Sequence, residues 1–251
     1  MCLILVAVDA HPKFRLVIAA NRDEFFDRPT APAAFWPEAP DLLAGRDLRE
    51  GGTWIGITRS GRVAAVTNFR HPAANRDGSP SRGRLVADYL LGRDLPDAYL
   101  ERVSREADRY SGFNLLAGQP DALYWYSNHG KGIGKLPPGI HGLSNHLLNT
   151  PWPKVGKGTE ALRAALAADE PSAETVLRCL VDRAVPPDEL LPDTGVGLEM
   201  ERMLSPVFIE SPGYGTRSST VILIGRDGGV TLVERSFGAR PATVEMHFDL
   251  S

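Results

Sequence analysis

The 251 residues carry a formal charge of −3, with 43% hydrophobic and 24% charged side chains. These are ordinary globular proportions, and with no long basic run they leave no electrostatic footprint for nucleic acid. Two cysteines, Cys2 and Cys179, exclude a disulfide framework and a cysteine-based metal centre, and they fit a reducing, cytoplasmic setting.

The chain begins "MCLILVAVD". Its apolar run is only six residues long and has no positive charge before it, so we expect no secretory leader. No later run approaches the ~18 apolar residues of a membrane span. Residues 2–9 and 15–21 read as two strands joined by the turn "DAHPKF", and their near-continuous apolarity predicts a sheet covered on both faces. Residues 25–44, rich in proline and aromatics, read as a long ordered loop. "GTWIGIT" and "RVAAVTNF" form a second hairpin. "GRLVADYLLG" and "LPDAYLERVSREADRY" then switch to three- and four-residue spacing, as amphipathic helices do. Strands resume at "FNLLAG", "ALYWYSN" and 139–143, and helices are expected at 158–168 and 173–184. "GKGIGK" and "GKGTE" lack the strand-to-helix setting of a phosphate loop and read as turns. A polar stretch runs through Arg202, after which "PVFIE" into "RSSTVILIG", "VTLVERSF" and "ATVEMHFD" supply the closing strands. Hairpin-linked strands alternating with helix pairs predict an α+β layered fold, two packed antiparallel sheets with helices outside. We read residues 1–251 as one domain.

The chemistry gathers at strand ends. If the initiator methionine is removed, Cys2 offers a thiol beside a free α-amine, whose unperturbed pKa near ~7.7–8.0 lets it act as the base for its own side chain. An antiparallel pairing of the first two strands brings Cys2 beside Asn21 and Arg22 in "NRDE", four polar residues read as lying where the apolar strand ends. Arg22 would favour a thiolate, and Asp23 would accept from the α-ammonium or orient Arg22. Asn68 in "VTNFRHP" and Asn145, with His146 and Trp152, in "HGLSNHLLNTPWPKV" place amides and rings at further strand ends. Arg217 in "YGTRSSTVIL" is expected to converge with Arg22 on one anionic or carbonyl-bearing ligand, in an electropositive cleft. Cys179, among apolar neighbours, reads as an inert thiol.

The collinear set "MCLIL", "AANRDE", "GGTWIG" with Trp54, "VTNFR", "LSNHLLNTPWPKV" and "YGTRSSTVILI" resembles the NRDE family, also called the transport-and-Golgi-organisation family, from Met1 to about Phe237. The resemblance implies a four-layer αββα sandwich of the N-terminal nucleophile (Ntn) hydrolase type. In related cysteine Ntn hydrolases, such as bile salt hydrolases and penicillin V acylases, the N-terminal Cys attacks an amide carbonyl. An Arg and an Asp close the second strand, and Asn residues form the oxyanion hole.

By order and context Cys2, Arg22, Asp23, Asn68, Asn145 and Arg217 match those positions, although here the Arg and Asp are adjacent rather than spaced apart. The implied activity is hydrolysis of an amide or thioester of a small acyl-bearing substrate through Cys2, with no cofactor or metal required. Asn21, Trp54, His146, Trp152 and Arg217 are assigned to ligand binding. The same resemblance also implies an alternative, a non-catalytic carrier of haem or of a lipid or acyl-CoA ligand. Haem ligation would fall to a histidine or to Cys2, but no haem-attachment motif is present.

Overall fold

The structure is a computed structural model and describes residues 2–238 and 241–251. In chain order the elements are β1 (Cys2–Val8), β2 (Phe14–Phe25), β3 (Thr30–Trp36), β4 (Ala39–Asp47), β5 (Ile55–Thr58) and β6 (Val63–Asn68). Next come α1 (Arg82–Leu91), α2 (Pro96–Arg105), β7 (Phe113–Gln119), β8 (Ala122–Ser127), β9 (Ile133–Lys135) and β10 (Gly139–Leu143). The chain finishes with α3 (Pro153–Ala165), α4 (Ala173–Leu177), α5 (Leu198–Leu204), β11 (Glu210–Ser211), β12 (Tyr214–Gly225), β13 (Gly229–Ser236) and β14 (Ala242–Asp249).

Two antiparallel sheets result. One is ordered β10-β1-β2-β12-β13-β14 with β11 beside β12, and the other β3-β4-β5-β6-β7-β8-β9. Strand parity explains how they stack. Ile4, Val6, Ile18 and Ile222 on the first sheet meet Leu43, Ile57, Val63 and Leu116 on the second, in a core between the sheets. The alternate residues Leu3, Leu5, Val17 and Val221 pack on the other face with Val155 and Leu162 of α3 and Val176 of α4. Leu42, Ala64 and Leu115 face Leu85, Val86 and Tyr89 of α1 and Leu100 of α2. The layers are therefore helix, sheet, sheet, helix, as expected, and β1 and β2 are buried on both faces.

Several elements depart from the sequence reading. Residues 25–44 are not a loop, because β3 and β4 pair there. β3 is an edge strand, where Pro32 has no ladder partner to lose, and it faces solvent. β2 does not end at Asn21 but runs through "NRDE" to Phe25. The polar residues stay in the sheet because β12 pairs with them, Ser219 opposite Asn21 and Ser218 opposite Arg22.

α3 starts at Pro153 and contains the supposed turn "GKGTE". Proline suits the first helical turn, and a Cβ at Gly158 would lie 2.8 Å from Leu5 Cδ2, so glycine lets the helix approach β1. The "GKGIGK" stretch holds the short strand β9. α4 ends at Leu177 and tightens into a 3₁₀ turn over Arg178–Leu180. α5 forms within the presumed polar stretch, and of "PVFIE" only Glu210 enters a strand. Among the described residues no helix is long and apolar enough to cross a membrane.

Candidate active site

Cys2 opens β1 directly opposite Arg22 of β2, with Leu3 opposite Asn21. Because side chains alternate along a strand, Cys2 and Arg22 share the parity of Ile4 and Ala20 and sit at the end of the inter-sheet space. Asn21 and Asp23 take the opposite face, towards the helices. This is the structural consequence of an adjacent Arg and Asp: they cannot project to the same side.

Cys2 and Arg22 line a cleft of about 370 Å³, together with Asp23, Trp54, Asn68 and Arg82. Cys2 keeps part of its surface open to the cleft, while its thiol is packed round by protein. Burial is the strongest influence on it and pushes the thiol up; the Asp23 backbone N–H and the Arg22 charge pull the other way. Arg22 acts in the expected direction, favouring a thiolate, but desolvation outweighs it. Arg22 is itself buried, donates from Nη1 to Thr30 Oγ1 at 3.1 Å and lies 4.3 Å over the Trp54 ring.

Asp23 is 2% exposed and accepts from Thr216 Oγ1 at 2.7 Å. Burial raises its carboxyl, while the Lys154 ammonium acts to lower it. Lys154, also 2% exposed, donates from Nζ to Leu204 O at 3.0 Å, and burial brings its ammonium down to about 8. Beside this pair Arg70 is bonded to Glu201 and lies 4.5 Å over Trp152. The second Glu201 oxygen takes the Thr194 N–H and hydroxyl.

The remaining sequence candidates divide by location. Asn145 is fully buried and does not line the cleft. Its Nδ2 donates to Asn68 O at 3.0 Å, and its carbonyl accepts from Arg70 N, so it ties the end of β6 to the strand carrying Leu143. Neighbouring Ser144 donates to Cys2 O at 3.0 Å. Asn21 is committed inside the helix layer, donating to Leu180 O and Val207 O and accepting from Ser219. His146 bonds Thr150 and packs with Phe69 and Trp152 in a separate aromatic cluster.

Arg217 is the extra residue of a β-bulge, since Thr216 pairs with Asp23 and Ser218 with Arg22. It donates to Phe25 O and Arg28 O and lines a neighbouring pocket of about 830 Å³, with Arg22, Trp54, Phe26 and Leu48, not the Cys2 cleft. The cleft is also not simply electropositive. Arg22, Arg28, Arg76 and Arg82 share its wall with Glu24, Asp47, Glu50 and Asp77, while Asp23 borders it with its backbone N–H. No histidine lines either pocket, and the described residues contain no cluster able to hold a metal ion.

Sequence reasoning missed Lys154 and Arg82. The signal for Lys154 was present, a lone lysine in "TPWPKV" at a helix start. Arg82 lay in a stretch with three arginines that reads as surface.

The four-layer αββα sandwich is a fold of the N-terminal nucleophile (Ntn) hydrolase type. The Caenorhabditis elegans N-acylethanolamine-hydrolyzing acid amidase ortholog superposes over 88% of this chain and 92% of its own, at TM-score 0.51 and 9% identity. A conjugated bile acid hydrolase from Clostridium perfringens covers 98% and 92% at TM-score 0.49 and 8% identity. The family profile "Transport and Golgi organisation 2" matches residues 1–239. The chain is 39% identical over 258 residues to the Homo sapiens Transport and Golgi organization protein 2 homolog, covering 94% of this chain and 93% of that one. It is 38% identical over 267 residues to the Bos taurus homolog, with 98% and 96% covered. The chain belongs to the Transport and Golgi organisation 2 family.

Proposed function

We propose that the protein is a cysteine Ntn hydrolase that cleaves an amide or thioester bond of a small acyl-bearing substrate through Cys2. The observation that carries this reading is the β1–β2 register, which sets the Cys2 thiol against Arg22 at the head of a cleft. Removal of Met1, which lies outside the described residues, frees the Cys2 α-amine. That amine takes the thiol proton as Sγ bonds to the substrate carbonyl carbon. Asn68 lines the cleft and donates to the developing oxyanion, while Asn145 holds the Asn68 backbone in place. The C–N or C–S bond then breaks, and the α-ammonium returns its proton to the departing amine or thiol. Water attacks the acyl-cysteine, the Cys2 thiol re-forms and a carboxylic acid is released. In this reading Asp23 stabilises the α-ammonium from the far side of β2.

The test is intact mass of protein from its native host, then exposure to an activated acyl thioester with peptide mapping of the adduct. The expected result is loss of Met1 and an acyl mass on Cys2 that Cys2→Ala abolishes. Retained Met1, or turnover undiminished in Cys2→Ala, overturns the reading. The neighbouring 830 Å³ pocket, bordered by Phe26, Leu48 and Trp54, favours a second reading, a lipid-like ligand held without turnover. Haem held in the smaller cleft would have to use Cys2, since no histidine lines it, and among the described residues neither a histidine nor a cysteine lines the neighbouring pocket.

A further inference from the structure

Three arginines on the cleft wall differ in how they are neutralised. Arg28 has Asp47 at 2.5 Å and Glu24 at 3.9 Å. Among the described residues Arg22 and Arg82 have no carboxylate within 4 Å. Their hydrogen bonds go to neutral oxygens. Arg22 donates to Thr30 Oγ1, and Arg82 donates from Nη1 to Gly112 O at 2.9 Å, which fixes the fork and leaves its other N–H groups for a ligand.

Both guanidiniums line the cleft that Cys2 opens into, Arg22 buried and Arg82 half-buried, and burial acts against the charge of each. Arg22 and Arg82 therefore share one cleft wall with the Cys2 thiol. The nearby acids are engaged elsewhere: Asp47 pairs with Arg28, Glu24 is shared with Arg28 and the Phe25 N–H, Glu234 on the Arg22 side accepts from Ala33 N and Thr220 Oγ1, and Asp23 lies on the opposite face with Lys154. Asp77 and Glu50 stand exposed at the rim. A desolvated guanidinium without a counter-ion is costly, and an incoming anion relieves that cost.

We propose that Arg82 is a specificity-determining residue that binds an oxyanion of the substrate, a carboxylate or phosphate close to the scissile carbonyl. The preferred substrates are then anionic amides or thioesters. This deepens the hydrolase reading by naming the substrate class, and the anion site stands even if Cys2 performs no turnover. It also moves the expected anion partner of Arg22 from Arg217, which lies on the bulge, to Arg82.

Two small alkylating reagents test it without requiring hydrolysis. Iodoacetate carries a carboxylate and iodoacetamide its neutral amide, and an ordinary thiolate repels the first, so the neutral reagent is normally faster. At wild-type Cys2 the anionic reagent should be favoured. Arg82→Gln should cut the ratio of the iodoacetate rate to the iodoacetamide rate about tenfold or more; the ratio cancels any change in the reactivity of the thiol itself, which affects both reagents alike. Arg84→Gln, a charge removed from an exposed position two residues away, should change neither rate. Acetate and inorganic phosphate, added as competitors, should slow iodoacetate at wild-type Cys2, and whichever protects at lower concentration identifies the preferred anion. The proposal is overturned if iodoacetamide remains the faster reagent, if the preference survives in Arg82→Gln, or if neither competitor protects. None of those results bears on whether Cys2 forms an acyl-enzyme.

Discussion

At the scale of single residues, Cys2 and Cys179 show how position decides the use of one chemical group. Cys179 is 7% exposed in the helix layer, its Sγ is 3.8 Å from Thr175 O, and burial pushes its thiol up to about 11. Cys2 is also raised by burial, yet it faces a cleft, an arginine pair and a backbone N–H. Lys154 is the less visible partner. Its amine is placed so that the Asp23 field holds a proton that desolvation would remove. The folded protein gives that proton up near pH 8, whereas an unfolded lysine keeps it until ~10.4. Between those values the unfolded chain binds more protons, so the contribution of this site to stability rises with pH. Carbon-13 NMR of ε-labelled lysine should show one resonance with a midpoint near 8 that disappears in Lys154→Met. Lysines that all titrate together above pH 10 would place Lys154 in solvent and remove it from the site.

At the scale of elements, the site depends on a strand that never touches the thiol. Gly45 of β4 sits against the Trp54 indole so closely that an added Cβ would overlap the ring. Trp54 in turn supports the Arg22 guanidinium. Gly45→Ala must therefore shift the indole or bend β4, at a cost of about 1–3 kcal/mol as for other overpacked cores. The urea midpoint should fall accordingly, and the Cys2 alkylation rate should change with it because Arg22 loses its platform. An unchanged midpoint together with an unchanged rate would show that the indole is not a support. The bulge in β12 works in the opposite sense. One extra residue is accommodated at Arg217, which turns that side chain into the larger pocket and leaves Ser218 opposite Arg22.

At the scale of the whole molecule, the buried pair Arg70–Glu201 fastens the segment carrying α5 to the end of β6. Both side chains are only 3% exposed. Glu201 also receives the Thr194 N–H and hydroxyl, so one carboxylate organises residues 194–201 against the sheet. Glu201→Gln keeps the shape and removes the charge, leaving Arg70 desolvated without its counter-ion. Breaking a buried pair from one side costs about 3–5 kcal/mol, and equilibrium urea unfolding should show a loss of that size. A loss below 1 kcal/mol would mean the pair is solvated and the α5 segment is held by its apolar contacts.

The layered architecture and the meeting of Cys2 with Arg22 were legible in the sequence, because short apolar runs separated by turn residues specify hairpins, and a hairpin specifies which residues face one another. The parity of "NRDE" is equally local: in a strand Arg22 and Asp23 must point to opposite faces. Three features depended on contacts remote in the chain. β3 and β4 form because β5 supplies a partner for β4, which overrides the loop character of a proline-rich stretch. α3 begins five residues before its expected start because Gly158 meets Leu5 of β1. Arg82 and Lys154 reach the site from helices on opposite outer layers, and no spacing along the chain encodes that convergence. Pairing within a hairpin is set by neighbours in sequence, whereas the charge balance around Cys2 is set by which distant side chains lose their water together.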